Sequence, residues 1–112
     1  MRDTRSLASR LRDRIRIERA STVQDEYGED IEQWELLGEE QSAAVYFGLG
    51  SERRAAAREE GTQAATFKCR ANETTSAAEI RDRIVHLGAA WDIVGISPLG
   101  RAEIDFTVTR SV

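Results

Sequence analysis

The sequence predicts a mainly β domain: a small antiparallel barrel or sandwich of about six strands, with one long polar loop after the third strand region and a short N-terminal helical turn. Three observations carry this expectation. Apolar residues recur with a period of two, most clearly at Ile104, Phe106 and Val108 between Glu103, Asp105, Thr107 and Thr109, which is the pattern of a half-buried strand. Short turn sequences such as Asp25-Glu26-Tyr27-Gly28 and Ser97-Pro98-Leu99-Gly100 separate these runs. One stretch, 48–62, breaks the alternation with glycine at both ends and almost only polar residues and alanine between.

Taken in order, Leu7 and Leu11 stand four apart within 5–12, compatible with a helical turn. From Arg14 the period changes, and Ile15 and Ile17 alternate with charged residues in a strand running towards Val23. The next strand, 31–36, alternates poorly and is expected to be interrupted near Gly38. Ala43, Val45 and Phe47 restore the period. Ser51 to Glu60 is rich in helix formers, with Ser51 placed as an N-cap and Gly61 as a stop, but it has no apolar stripe with which to dock on a core. Ala65, Phe67 and Cys69 mark another strand, and 72–76 reads as a polar connection. Residues 77–82 fit either a helical turn or a loop. Ile84 to Leu87 is a short apolar run, and Trp91 and Ile93 share one face of the strand after it.

The 112 residues suit a single domain, 1–112, whose modest core would gain from burying surface in an oligomer. Net charge is −4 but uneven: residues 1–20 hold seven Arg against three acids, and residues 21–60 hold three Arg against eleven. A basic end and an acidic middle suit head-to-tail contact between copies, or else both are simply solvated. Cys69 is alone, so no disulfide forms within the chain. No apolar run is long enough to span a membrane, and the Arg-rich start lacks the apolar segment of a signal peptide, so a cytoplasmic origin is expected.

Catalytic and metal chemistry find little support. His86 is the only histidine, and with Cys69 it sits in an apolar strand pattern where a buried thiol and imidazole are ordinary. Two such ligands do not make a zinc site. The acids from Asp25 to Glu40 do not follow the spacing of a calcium loop, and Gly48-Leu49-Gly50 lacks the rest of a phosphate-binding loop. No enzyme activity and no cofactor are expected. The basic N-terminus has no interleaved aromatic residue, which argues against sequence-specific DNA binding.

The order of these elements resembles the head–tail joining, or head-closure (stopper), proteins of tailed phages. Leu11-Arg12-Asp13-Arg14-Ile15-Arg16-Ile17 resembles that family's opening strand, and Asp25-Glu26-Tyr27-Gly28 with Trp34 its first hairpin. Ala43-x-Val45 with Gly50-x-Glu52, Phe67-Lys68-Cys69-Arg70, and Trp91-Asp92-Ile93-Val94-Gly95-Ile96 resemble its later strands. The resemblance implies a homo-oligomeric ring of six or twelve copies in the head–tail connector of a phage, prophage or gene transfer agent. Its partners would be the portal or adaptor protein on the capsid side, the tail terminator or tail tube protein on the other, and double-stranded DNA passing non-specifically through the channel.

In related head-closure proteins a loop between the second and third strands projects into the channel and retains packaged DNA, which here corresponds to about residues 47–63. Gly48, Gly50 and Gly61 would then be hinges, Glu52 would belong to the same channel loop, and Arg53, Arg54 and Arg58 would approach DNA phosphates or neighbouring subunits. Arg10, Arg12, Glu29, Asp30 and Glu32 are the candidate partner interface. A monomeric β-barrel adaptor that binds another protein is the competing reading.

Overall fold

The computed structural model describes residues 11–47 and 61–111. The described residues form seven strands and one short helix: β1 (Asp13–Gln24), β2 (Asp30–Leu36), β3 (Gln41–Phe47), β4 (Thr62–Arg70), α1 (Glu73–Ala77), β5 (Arg83–His86), β6 (Ala89–Leu99) and β7 (Glu103–Ser111). All pairings are antiparallel. Six strands make a closed circuit, β1–β3–β4–β7–β6–β5 and back to β1. The arrangement is ring-like and not a regular barrel, because the closing seam holds only three residue pairs: Arg16 with Val85, Ile17 with Ile84 and Glu18 with Arg83.

β2 and β3 behave as one interrupted strand. β2 pairs with Glu18–Gln24 of β1 and β3 with Asp13–Ile15. Between them Leu37 continues the ladder, its N–H donating to the Ile17 carbonyl at 2.7 Å. The remaining residues, Gly38 to Glu40, bulge out. Glu18 faces Leu36 and Arg83 at once, so β2 and β5 occupy opposite edges of β1. Beyond Glu18 no other described strand pairs with β1, and the rest of β1 leaves the circuit with β2 as a two-stranded ribbon.

The interruption near Gly38 is where the sequence places it, and its cause is now visible. Gly38 has φ +63, and a Cβ there would collide with the Thr74 hydroxyl. Thr74 belongs to α1, which stands where a polar connection was expected. The helix is capped by Asn72 Oδ1, which accepts from Thr75 N at 2.9 Å, while Thr75 Oγ1 accepts from Asn72 N at 2.9 Å. Asn72 Nδ2 also donates to Gln41 Oε1 at 2.8 Å, tying the helix to the start of β3. Gly38→Ala should therefore lower stability by about 1–2 kcal/mol, from left-handed backbone strain and displacement of Thr74. Urea midpoints of the two proteins check this.

Inward residues follow the period of two. Ile15, Ile17, Ala43, Ala65, Phe67, Cys69, Ile84, Trp91, Ile93, Ile104, Phe106 and Val108 form one buried cluster. Phe67 meets Trp91 edge-on, centroids 5.7 Å apart and planes at 73°, and lies 5.4 Å from the His86 ring. Two boundaries differ from the sequence reading. β6 continues through Ser97 and Pro98 to Leu99, so the turn falls at Gly100, which has φ +66. Its register shifts between Ile93 and Gly95. β4 begins at Thr62, so the polar excursion ends one residue earlier than expected. The described residues hold seven strands against the six or so expected, β5 being only four residues long. The helical turn expected over 5–12 lies, except for its last two residues, outside the described residues.

Candidate partner interface

The β1–β2 ribbon ends in a turn built by Asp25. Its carboxylate accepts from the N–H groups of Tyr27 and Glu29, each at 2.9 Å, and its carbonyl accepts from Gly28 N at 3.1 Å. Gly28 adopts φ +82, the conformation that allows the chain to reverse. Glu26, Glu29, Asp30, Glu32 and Glu35 are all exposed along this ribbon. So are Tyr27, at 83%, and Ile31, at 44%, which makes the ribbon acidic with apolar points rather than uniformly hydrated.

The ribbon's root is fastened by ion pairs. Glu18, nearly buried, receives Arg83 at 2.9 Å on one oxygen and Arg16 at 3.3 Å on the other. The Arg83 guanidinium also lies 4.2 Å from the centre of the Trp34 ring, so one arginine links β5 to both ribbon strands. Next along β1, Arg19 grips Asp82 through two hydrogen bonds of 2.9 Å and donates to the Ala77 carbonyl at 3.0 Å. Asp82 is 1% exposed and also accepts from Glu79 N at 2.7 Å. Burial pushes the Asp82 carboxyl upward. The Arg19 and Glu79 hydrogen bonds and the charges of Arg19 and Arg81 outweigh it and hold the group below its ordinary range. The bond to Asp82 likewise raises Arg19, against a smaller desolvation cost.

At the opposite end of β1 several arginines come together, with exposed Glu39 and Glu40 beside them. Arg12 and Arg14 are exposed, and Arg14 Nη1 donates to Ser42 at 2.8 Å. Exposed Arg70 ends β4, and exposed Arg101 lies in the β6–β7 turn, which is tied to the segment after β4 by Ala71 N donating to the Ala102 carbonyl at 2.8 Å.

A third region surrounds the point where 48–60 leaves the sheet. Phe47, 55% exposed, ends β3 with its ring 6.2 Å from Trp91. Arg110 lies 4.9 Å from the Trp91 ring centre and donates to Gln63 at 3.0 Å. Gly61 re-enters the sheet at φ +73 with open space where a Cβ would stand.

The structure thus brings Glu29, Asp30 and Glu32 together on one ribbon and places Arg12 at the other end of β1. Arg10, Gly48, Gly50, Glu52, Arg53, Arg54 and Arg58 lie outside the described residues. Sequence reasoning missed Arg14, Arg70 and Arg101 as a surface and the Arg19–Asp82 clamp. Asp82 sits in a stretch with no clear period, and its partner is 63 residues away. Cys69 is fully buried; desolvation first, and then the Asp105 charge, push its thiol up to about 12, so it is neutral at physiological pH. His86 is buried against Phe67 with Nε2 3.3 Å from Asp13, spanning the closing seam. No group of three or more His, Cys, Asp or Glu among the described residues is placed to hold a metal ion, and no described helix is long and apolar enough to cross a membrane.

The sequence profile of phage head completion proteins matches residues 7–111. The chain belongs to the phage head completion protein family. As a head completion protein it joins a structural family, and its fold recurs in solved structures. Protein SF1141 from Shigella flexneri 2a superposes with a TM-score of 0.64 at 24% identity, over 95% of this chain and 96% of that one. A chain in the virion of a native gene transfer agent particle gives 0.61 at 22% identity, over 92% and 96%. No curated protein matches the head completion chain.

Proposed function

We propose that this protein is a structural subunit of the virion head–tail connector, forming a ring below the portal or adaptor that closes the DNA channel and offers the surface for tail attachment. The observation that carries the reading is the family match across 7–111. The similarity in fold to a component of a gene transfer agent virion supports it. The protein would be made in the host cytoplasm and end in the assembled particle, without a catalytic role.

The moving part is the excursion between β3 and β4. Because β2 and β3 run as one interrupted strand along β1, this excursion occupies the place of a loop between second and third strands. Its attachment points support a gate. Gly61 has open space where a Cβ would stand, and Phe47 and Arg110 pack around Trp91, which anchors the base of the excursion. Gly48, Gly50 and Gly61 are the hinges, and Arg53, Arg54 and Arg58 meet DNA phosphates or neighbouring subunits.

The test uses particles made without this protein and complemented by variants. The intact chain should restore both DNA retention and tail joining. A chain lacking 51–60 should restore tail joining but leave heads that lose DNA. If the shortened chain restores both, the gate is wrong; if the intact chain restores neither, the connector role is wrong.

A further inference from the structure

We propose that the acidic β1–β2 ribbon of one copy docks on the arginine surface at the opposite end of β1 in a neighbouring copy. The inference rests on the ring reading above and names its subunit contact. Eight acids and no Lys or Arg lie between Ala20 and Phe47, while all 16 basic residues lie outside that stretch, against 12 acids. Six of these acids, Asp25 to Glu35, belong to the ribbon and its turn, while the other two, Glu39 and Glu40, lie beside Arg14 and Arg70. Glu29, Asp30 and Glu32 stand at one end of β1, and Arg12, Arg14, Arg70 and Arg101 stand at or near the other.

Distance makes the contact intermolecular. Arg14 and Gln24 are ten residues apart on one strand, about 33 Å at the rise of an extended chain. The Debye length in physiological salt is about 8 Å, so the two ends do not neutralise each other within one molecule. An acidic end that fits a basic end on an identical molecule gives a head-to-tail contact, the kind that closes into rings.

Three further features fit. Among the described pairings β2 bonds to β1 alone, so its outer edge is open to a neighbour. Charges of either sign would protect such an edge from non-specific pairing, yet those from Asp25 to Glu35 are all acids. The clamps at Glu18 and Arg19 hold the ribbon out as a stiff arm, which lowers the ordering cost of docking. Glu39 and Glu40 border the groove beside Arg14 and Arg70, so the receiving surface is the arginine rim rather than the groove floor.

The contact is tested by charge exchange and by cross-linking. One variant carries Glu29→Arg, Asp30→Arg and Glu32→Arg; the other carries Arg14→Glu, Arg70→Glu and Arg101→Glu. Each alone should self-associate at least about tenfold more weakly than the parent by sedimentation, and the equimolar mixture should recover association. A chain with Asp30→Cys and Arg14→Cys, treated with a bismaleimide too short to span one molecule, should give a ladder of covalent oligomers. The two single-cysteine chains should give none, the native thiol being buried.

Failure of the mixture to recover, or a dimer from Asp30→Cys alone, overturns the contact. The same cross-linking in assembled particles separates the two proposals. Particles that contain the protein but give no ladder refute this contact and leave the connector reading standing. A ladder in solution from a chain that never enters particles refutes the connector reading and leaves the contact.

Discussion

Phe67→Ala should cost about 3–5 kcal/mol of folding stability, the range for removing a buried aromatic ring and leaving a cavity. Phe67 is fully buried on β4, which is flanked by β3 and β7. Its ring also touches Trp91 and His86, contributed by the two strands that lead to the seam. One side chain therefore supports both halves of the circuit. Domains of this size are stable by about 5–15 kcal/mol, so the loss takes a large share. Urea unfolding followed by tryptophan fluorescence should show a much lower midpoint with an unchanged slope. A loss under about 1 kcal/mol would mean that the centre of the sheet can collapse around the gap.

Asp82→Ala should cost about 2–3 kcal/mol near neutral pH, because it leaves Glu79 N without its acceptor and removes two of the three hydrogen bonds of Arg19, leaving the one to the Ala77 carbonyl. The sign of the pH dependence follows from the depressed carboxyl. Stability from Asp82 is fully present above the unfolded value of about 3.9 and is lost as pH falls through the lower folded value. Parent and variant should differ at pH 7 and converge in acid. Asp105 acts in the opposite sense: burial raises it, with Lys68 lowering and Glu103 raising, and its cost to folding is relieved as it protonates. Thermal melts between pH 2 and pH 7 separate the two effects. The variant should also lose the ribbon's fixed angle, so particle assembly should suffer even where the fold survives.

The strands were legible where burial is one-sided. At Ile104 to Val108 and at Ala65 to Cys69 the alternation in the sequence is the alternation of inside and outside. The ribbon strand 31–36 alternates poorly because both its faces meet water, so hydrophobic contrast had nothing to record there. Helix α1 was missed because five residues held by an Asn72–Thr75 cap leave no helical period. The acids of the candidate interface were legible as charge. The arginines that face the same solvent from β1, β4 and the β6–β7 turn were not, since only the folded sheet makes neighbours of Arg14 and Arg70.

The three-pair seam between β1 and β5 also sets the order of events during synthesis. Glu18 and its seam partner Arg83 are 65 residues apart, so at about 5–20 residues per second β1 leaves the ribosome roughly 3–13 s before β5 exists. Its hairpin with β2 can form within microseconds, but the opposite edge must wait. During that interval Ile15 and Ile17 face no finished core, and Arg14, Arg16 and Glu18 are the residues that guard the strand against wrong partners. The seam is thus the least local pairing of the circuit, made by the shortest of the described strands.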